Sequence, residues 1–199
     1  CDDTSISIID DNKNIIANET ISQNQVHKDY KGVVPELAAR NHVLFIDKIL
    51  KRILKKQKLR ITDIGLIAAT VGPGLVGGLL VGLTFAKTLS QVNRIPFIGV
   101  NHLEGHAITA RLTNKVEYPF LLLLVSGGHS NFYFISDIND YKFLGGTLDD
   151  ALGEAFDKVA NILGLDFPGG PQLELLAMKG NYKKVSLPKP LINDKSLNM

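Results

Sequence analysis

Two short runs rich in isoleucine and hydroxyl side chains, 5–10 and 15–22, flank the turn cluster Asp11-Asn12-Lys13-Asn14, so the chain is expected to open as a β-hairpin. A loop bearing His27 and Tyr30 follows. Gly32-Val-Val-Pro35 leads into a helix in which Pro35 suits the first helical position, and Leu37, Leu44, Phe45, Ile49, Ile53 and Leu54 recur at a helical period. The run 64–70 reads as a buried strand entering Val71-Gly72-Pro73-Gly74. A helix is expected over 75–93 and another strand over 95–100. Strand, helix, strand, helix in this order implies parallel pairing across a crossover. Gly77, Gly78 and Gly82 stripe the middle helix. Each glycine costs about 1 kcal/mol there, so close approach by a backbone, a ligand or the sheet is expected.

The longest apolar run, Phe120–Val125, is of strand length. It ends in Ser126-Gly127-Gly128-His129-Ser130, and 131–136 is again strand-like. Such a hairpin can turn several backbone N–H groups toward one anion, although a plain turn has the same sequence. A short strand at 141–144 precedes a helix expected over 147–163, with Thr147 as N-cap, Asp150 at N3 of a variant capping box and Gly164 as its stop. Asp150, Glu154 and Asp157 then share one helix face, which asks for a ligand, a lysine or a metal; Glu154 and Lys158 form an ordinary i,i+4 pair. Phe167-Pro168-Gly169-Gly170-Pro171 is a tight loop, with Pro171 opening a last helix over 172–179. From about 183 the chain is polar and irregular.

Composition narrows this α/β reading only slightly. The 199 residues allow one large domain or two small ones with a real core. A net charge of +2 means that any basic surface is local. The candidate is 51–60, with six Lys or Arg in ten residues. It reads as the solvated face of an amphipathic helix or as a phosphate-attracting patch for RNA. Cys1 is the only cysteine, which leaves no internal disulfide and suits a reducing compartment. No uninterrupted apolar run approaches the length of a membrane span. The chain starts with Cys-Asp-Asp and ends in a polar stretch, and a fragment is therefore expected.

Candidate chemistry centres on Asn101-His102-Leu103-Glu104-Gly105-His106. Two imidazoles four residues apart lie on one helix face and can share a metal ion at bond lengths of about 2.1 Å, but a pair of structural histidines has the same spacing. A metalloprotease base would directly follow the first His, whereas Glu104 is two positions on, about 200° round the helix from His102, and faces away from the metal. Ser126 does not fit the hydrolase nucleophile elbow, because Leu124 stands where that motif has glycine.

Seven stretches in order carry a more specific signal: Cys1-Asp-Asp-Thr4, Gly32-Val-Val-Pro-Glu-Leu-Ala-Ala-Arg40, Gly72-Pro-Gly-Leu-Val76, the Asn101–His106 segment, Leu124-Val-Ser-Gly-Gly-His129, Asp149-Asp-Ala-Leu-Gly-Glu-Ala-Phe-Asp-Lys158 and Phe167-Pro-Gly-Gly-Pro171. Together they resemble the TsaD family, the tRNA N6-adenosine threonylcarbamoyltransferases. The resemblance implies an actin-like ATPase fold over 1–199, incomplete, lacking the family's first strand and its C-terminal half. It implies transfer of a threonylcarbamoyl group from threonylcarbamoyl-adenylate to N6 of the adenosine 3′ of the anticodon, in tRNAs reading codons that begin with A, with release of AMP. His102 and His106 match the family's metal ligands, for one divalent iron or zinc. Leu124, Val125, Ser126, Gly127 and Gly128 match its substrate loop, and Asp157 and Gly170 match positions holding the nucleotide part of the ligand. The third metal ligand, an Asp, belongs to the absent half; His129 or an aspartate within 149–157 is the remaining internal candidate. The resemblance further implies an inactive paralogue and a small ATPase as partner proteins, and a bacterial cytoplasm as location. Competing readings are a non-catalytic partner-binding paralogue, a metallopeptidase, and an ATPase or sugar kinase of the same fold. The 199-residue chain by itself is expected not to turn over.

Overall fold

The computed structural model describes residues 3–199, apart from the side chain of Thr113. Cys1 and Asp2, and with them the start of the first motif and the lone cysteine, lie outside the described residues. The chain divides into two compact units, Cys1–His106 and Ala107–Met199.

The first unit opens with the expected hairpin, β1 (Asp3–Ile9) and β2 (Ile15–Ser22), paired antiparallel from Asp3 opposite Ser22 to Ile9 opposite Ile15. Asp10 closes the turn by accepting hydrogen bonds from the Asn14 backbone and side chain, both at 2.8 Å. These bonds hold its carboxyl below the usual aspartate range. A four-residue helical turn, α1 (Asn24–His27), stands where a loop is expected. The long helix α2 (Pro35–Gln57) begins at Pro35 as the sequence indicates.

The face that α2 buries differs from its hydropathy pattern. Ile49 and Ile53 are fully buried and form a core with Ala17, flanked by Ile6, Ile8, Ile21 and Phe45. Leu44, however, is 54% exposed, while His42 is buried. Polar partners explain the exchange. His42 Nδ1 lies 2.7 Å from Thr4 Oγ1 and 3.3 Å from Gln23 Nε2. The amide can only donate, so Nδ1 is an acceptor, and the buried imidazole keeps its hydrogen bonds.

β3 (Ile67–Gly72), α3 (Val76–Asn93) and β4 (Phe97–Asn101) form the expected crossover, with β3 and β4 parallel. α3 packs on β3 and against α2. Of its three glycines, Gly77 meets a close neighbour: a Cβ there would lie 3.4 Å from Ala39 Cβ of α2. Gly82 faces open space. α4 (His102–Thr113) follows β4 directly.

In the second unit β5 (Phe120–Val125), β6 (Ser130–Asp137) and β7 (Asp140–Gly146) make an antiparallel meander. Leu124 and Ile135 are buried, whereas Leu121, Leu123 and Val125 are at least half exposed. Helices α5 (Leu152–Ile162) and α6 (Gly169–Ala177) pack together. α6 starts at Gly169, two residues before the expected Pro171. The last residues return to β7, where Met199 N–H donates to Gly146 O and Leu148 N–H to Met199 O.

The core assignment yields a contrast measurable by urea unfolding. Ile53→Ala should cost about 2–5 kcal/mol, whereas Leu44→Ala should change stability by less than about 0.5 kcal/mol.

Candidate functional site

In the first unit, two parallel strands end side by side, and Gly72 is the register partner of Asn101. The carboxyl ends of parallel strands are where open α/β sheets hold ligands. The chain leaves β3 through Gly72-Pro73-Gly74, where φ is +152° at Gly72 and +153° at Gly74. These values are rarely open to residues with a side chain. β4 leaves through Asn101, whose Oδ1 accepts from Leu103 N–H at 2.8 Å and Glu104 N–H at 3.4 Å. That side chain satisfies first-turn donors of α4 and starts the helix at His102.

The helix brings His102 Nε2 and His106 Nε2 to 3.3 Å, with ring centroids 4.5 Å apart and planes at 70°. Two nitrogens bonded to one tetrahedral ion at about 2.1 Å would be separated by about 3.4 Å. The donor set and its spacing therefore fit a shared divalent metal. Among the described residues, no group of three or more His, Cys, Asp or Glu is assembled to hold a metal. The pair contributes two ligands.

In the second unit the 124–128 segment, expected to be a substrate loop, and the start of α5 are locked together. Ser126 N–H donates to His129 O at 2.8 Å, and His129 N–H donates to Ser126 Oγ at 3.1 Å. The Ser126 amide is thus spent within the turn, leaving the Gly127 and Gly128 amides without a hydrogen bond among the described residues. Gly127 O accepts from Glu154 N–H at 3.1 Å, and buried Ser130 Oγ accepts from Leu152 N–H at 2.9 Å. A Cβ on Gly153 would lie 2.7 Å from Gly127 Cα and 2.9 Å from Ser126 O, so glycine is needed for the loop to seat on the helix.

This arrangement corrects the expected capping box. α5 starts at Leu152, five residues after Thr147, and its N-cap Ala151 makes no side-chain cap. Ser130 and Gly127 already satisfy the Leu152 and Glu154 amides, and the Thr147 hydroxyl turns instead to Asp150 O at 2.7 Å. Asp150 therefore precedes the helix rather than sharing its face. Lys158 answers both Asp150, at 2.6 Å, and Glu154, at 3.2 Å. The hydrogen bond to Asp150, then that to Glu154, raises the Lys158 ammonium above the usual lysine range.

Asp157 stands outside that network. Its Oδ1 accepts from Gly169 N–H, the first amide of α6, at 2.8 Å, which leaves the other carboxylate oxygen for a ligand. Gly169 is buried, and a Cβ there would lie 2.5 Å from Ala160 Cβ and 3.0 Å from Asp157 Cα. Gly170, the glycine singled out by its motif, is less constrained, with Phe156 Cβ at 3.9 Å. Sequence reasoning missed Ser130, Gly153 and Gly169 as the residues that shape the site. Gly153 and Gly169 lie within the quoted motifs, but their partners are distant in sequence. The cap role of Asn101 was missed as well, although an Asn directly before a helix start is a local signal.

Comparison with known proteins bears on the whole chain. The family model described as TsaD, tRNA N6-adenosine threonylcarbamoyltransferase, matches residues 14–199. The tRNA N6-adenosine threonylcarbamoyltransferases of Rickettsia rickettsii (strain Sheila Smith) and Rickettsia bellii (strain OSU 85-389) are each 55% identical over 199 residues, 100% of this chain and 58% of theirs. The chain thus spans 58% of the length of these curated relatives. A solved structure described as YeaZ from Pseudomonas aeruginosa superposes with a TM-score of 0.49 at 10% identity, covering 71% of this chain and 59% of that one. No helix among the described residues is long and apolar enough to cross a membrane.

The lock between loop and helix has a thermodynamic consequence. Ser130→Ala leaves the Leu152 amide without its acceptor and should lower unfolding free energy by about 1–3 kcal/mol, measured by denaturant titration. Ser5→Ala, on the exposed hairpin, serves as the reference and should change it by less than about 0.5 kcal/mol.

Proposed function

Because this chain belongs to the TsaD family, whose fold is that of the actin-like ATPases, we propose that it serves threonylcarbamoyl transfer from threonylcarbamoyl-adenylate to N6 of the adenosine 3′ of the tRNA anticodon. In this reaction N6 bonds to the carbamoyl carbon, the bond from that carbon to the adenylate oxygen breaks, AMP departs and N6 loses one proton. The acceptor amine is a weak nucleophile because its lone pair is delocalised into the purine. The donor carries a good leaving group, so the reaction needs positioning and charge stabilisation rather than a protein nucleophile.

The residues divide that work. The geometry that most supports the reading is the Nε2 pair of His102 and His106, 3.3 Å apart at the carboxyl end of a parallel strand pair. The two imidazoles would hold a divalent iron or zinc, which as a Lewis acid supplies orientation and polarisation to the threonylcarbamoyl end. In the segment Leu124, Val125, Ser126, Gly127 and Gly128, the Gly127 and Gly128 amides donate to the donor's phosphate. The remaining oxygen of Asp157 accepts from a ribose hydroxyl, with Gly170 beside it. An inactive paralogue and a small ATPase are the protein partners of this reading, and a bacterial cytoplasm its setting.

Replacing His106 by Ala in the protein that contains this sequence should abolish threonylcarbamoyl-adenosine in tRNA, read by mass spectrometry of nucleosides from a complemented strain. Unchanged modification would remove the metal assignment. Asp157→Asn keeps an oxygen acceptor for Gly169 and should retain most of the stability while weakening donor binding about tenfold, the loss of one charge-assisted hydrogen bond. Asp157→Ala should lose both.

A further inference from the structure

The basic stretch of α2 has no role in the transfer site, and its charge is concentrated. Of 22 Lys and Arg in the chain, seven (Lys48, Lys51, Arg52, Lys55, Lys56, Lys58 and Arg60) lie in 13 consecutive residues without a single Asp or Glu. The other residues hold 15 cations against 20 anions. The excess positive charge of the protein therefore comes from this one stretch.

The structure separates these seven cations into two sets. Lys51 pairs with Asp47 at 2.9 Å, Arg52 with Glu19 of β2 at 3.1 Å, and Arg60 with Asp63 at 3.0 Å. Lys48, Lys55, Lys56 and Lys58 are exposed and form no ion pair within 4 Å among the described residues; Lys48 adds only a longer-range attraction to Asp47 and lies 5.7 Å from the Phe45 ring centroid. Lys48 and Lys55 are seven residues apart, two turns along one face, and Lys56 and Lys58 continue to the helix end. The four span about 15 Å along the axis. Attraction to the helix dipole reaches only the last turn, so it does not account for Lys48, and unneutralised like charges on neighbouring turns oppose one another. Ile49 and Ile53 are buried on the core side of the helix, so the lysine ammoniums meet solvent.

We propose that Lys48, Lys55, Lys56 and Lys58 dock the sugar–phosphate backbone of a structured RNA, which under the reading above is the tRNA substrate. A duplex carries one charge per about 1.7 Å of axis, so a 15 Å row of ammoniums spans several phosphates. No aromatic side chain interleaves the stretch, which removes the stacking platform that single-stranded bases use. The patch reads charge, not sequence, and positions the RNA while other residues select the reacting adenosine.

The test is binding of an unmodified tRNA transcript to the unaltered chain, at several salt concentrations from 50 to 200 mM KCl. The comparison is with K48Q/K55Q/K56Q/K58Q, the matching fourfold Lys→Arg variant, and a tail control, K183Q/K184Q/K189Q/K195Q. The patch variant should bind at least tenfold more weakly at 100 mM KCl. Its slope of log K against log salt should be shallower by about 3, from roughly 0.7–0.9 per phosphate contact. Lys→Arg should keep affinity within about twofold, and the tail control should lose less than twofold. Melting temperatures of all variants should match, because every substituted side chain is exposed. Unchanged affinity and slope in the patch variant would overturn the proposal and leave the patch to an acidic protein partner; an equal loss in the tail control, or no salt-dependent binding by the unaltered chain, would overturn it as well. The assay needs no transfer, so it fails separately from the function: RNA binding retained by the chain carrying His106→Ala, alongside modification lost when the protein that contains this sequence carries the same change, assigns the two roles to different residues.

Discussion

The first turn of an α-helix carries backbone N–H groups with no acceptor inside the helix, and this chain answers that demand with residues in or directly beside its motifs. Asn101 Oδ1 serves α4, placing His102 at its first turn. Ser130 Oγ and Gly127 O serve α5, tying it to the Ser-Gly-Gly turn. Asp157 Oδ1 serves α6, fixing Gly169 and Gly170 beside it. Just ahead of α2, His27 Nδ1 accepts from the amide of the N-cap residue Val34 at 3.3 Å. The contacts that satisfy these helix starts therefore also fix the residues that the proposed site uses.

The constraint also explains why several glycines cluster at these joints. A loop whose carbonyl reaches a helix amide must approach the helix backbone closely. Gly153 lets the Ser126-Gly127 backbone do so, and Gly169 lets α6 sit on Asp157 and Ala160. A side chain at either position would push apart elements whose hydrogen bonds are each worth about 0.5–1.5 kcal/mol. The two amides left over, those of Gly127 and Gly128, then sit on a turn pinned by its own hydrogen bonds and by that to α5.

Much of this was legible before the structure, and the boundary follows the range of the interactions. The hairpin, the Pro35 start of α2, the parallel β3–β4 crossover and the His102–His106 spacing depend on periodicity or neighbours within a turn, and all are present. Asn101 before His102 is a local cap and is readable. Thr147 and Asp150 also look like a local cap, but distant acceptors reach α5 first, Ser130 from 22 residues away. Nothing in the spacing of Ser130 or Gly153 signals such a contact. Burial of His42 in place of Leu44 is of the same kind: hydropathy ranks leucine inside, but Thr4 and Gln23 make the imidazole the better fit. The long motifs supplied the family independently of these local rules.

The central claim is that His102 and His106 act as joint ligands of one divalent ion within a threonylcarbamoyl-transfer site. The most direct measurement is a cobalt(II) titration read by visible absorption, with the unaltered protein beside His102→Ala and His106→Ala. The account predicts saturation near one equivalent in the unaltered protein and at least tenfold weaker binding in each variant. Equal affinity in all three, or no binding in any, would contradict it.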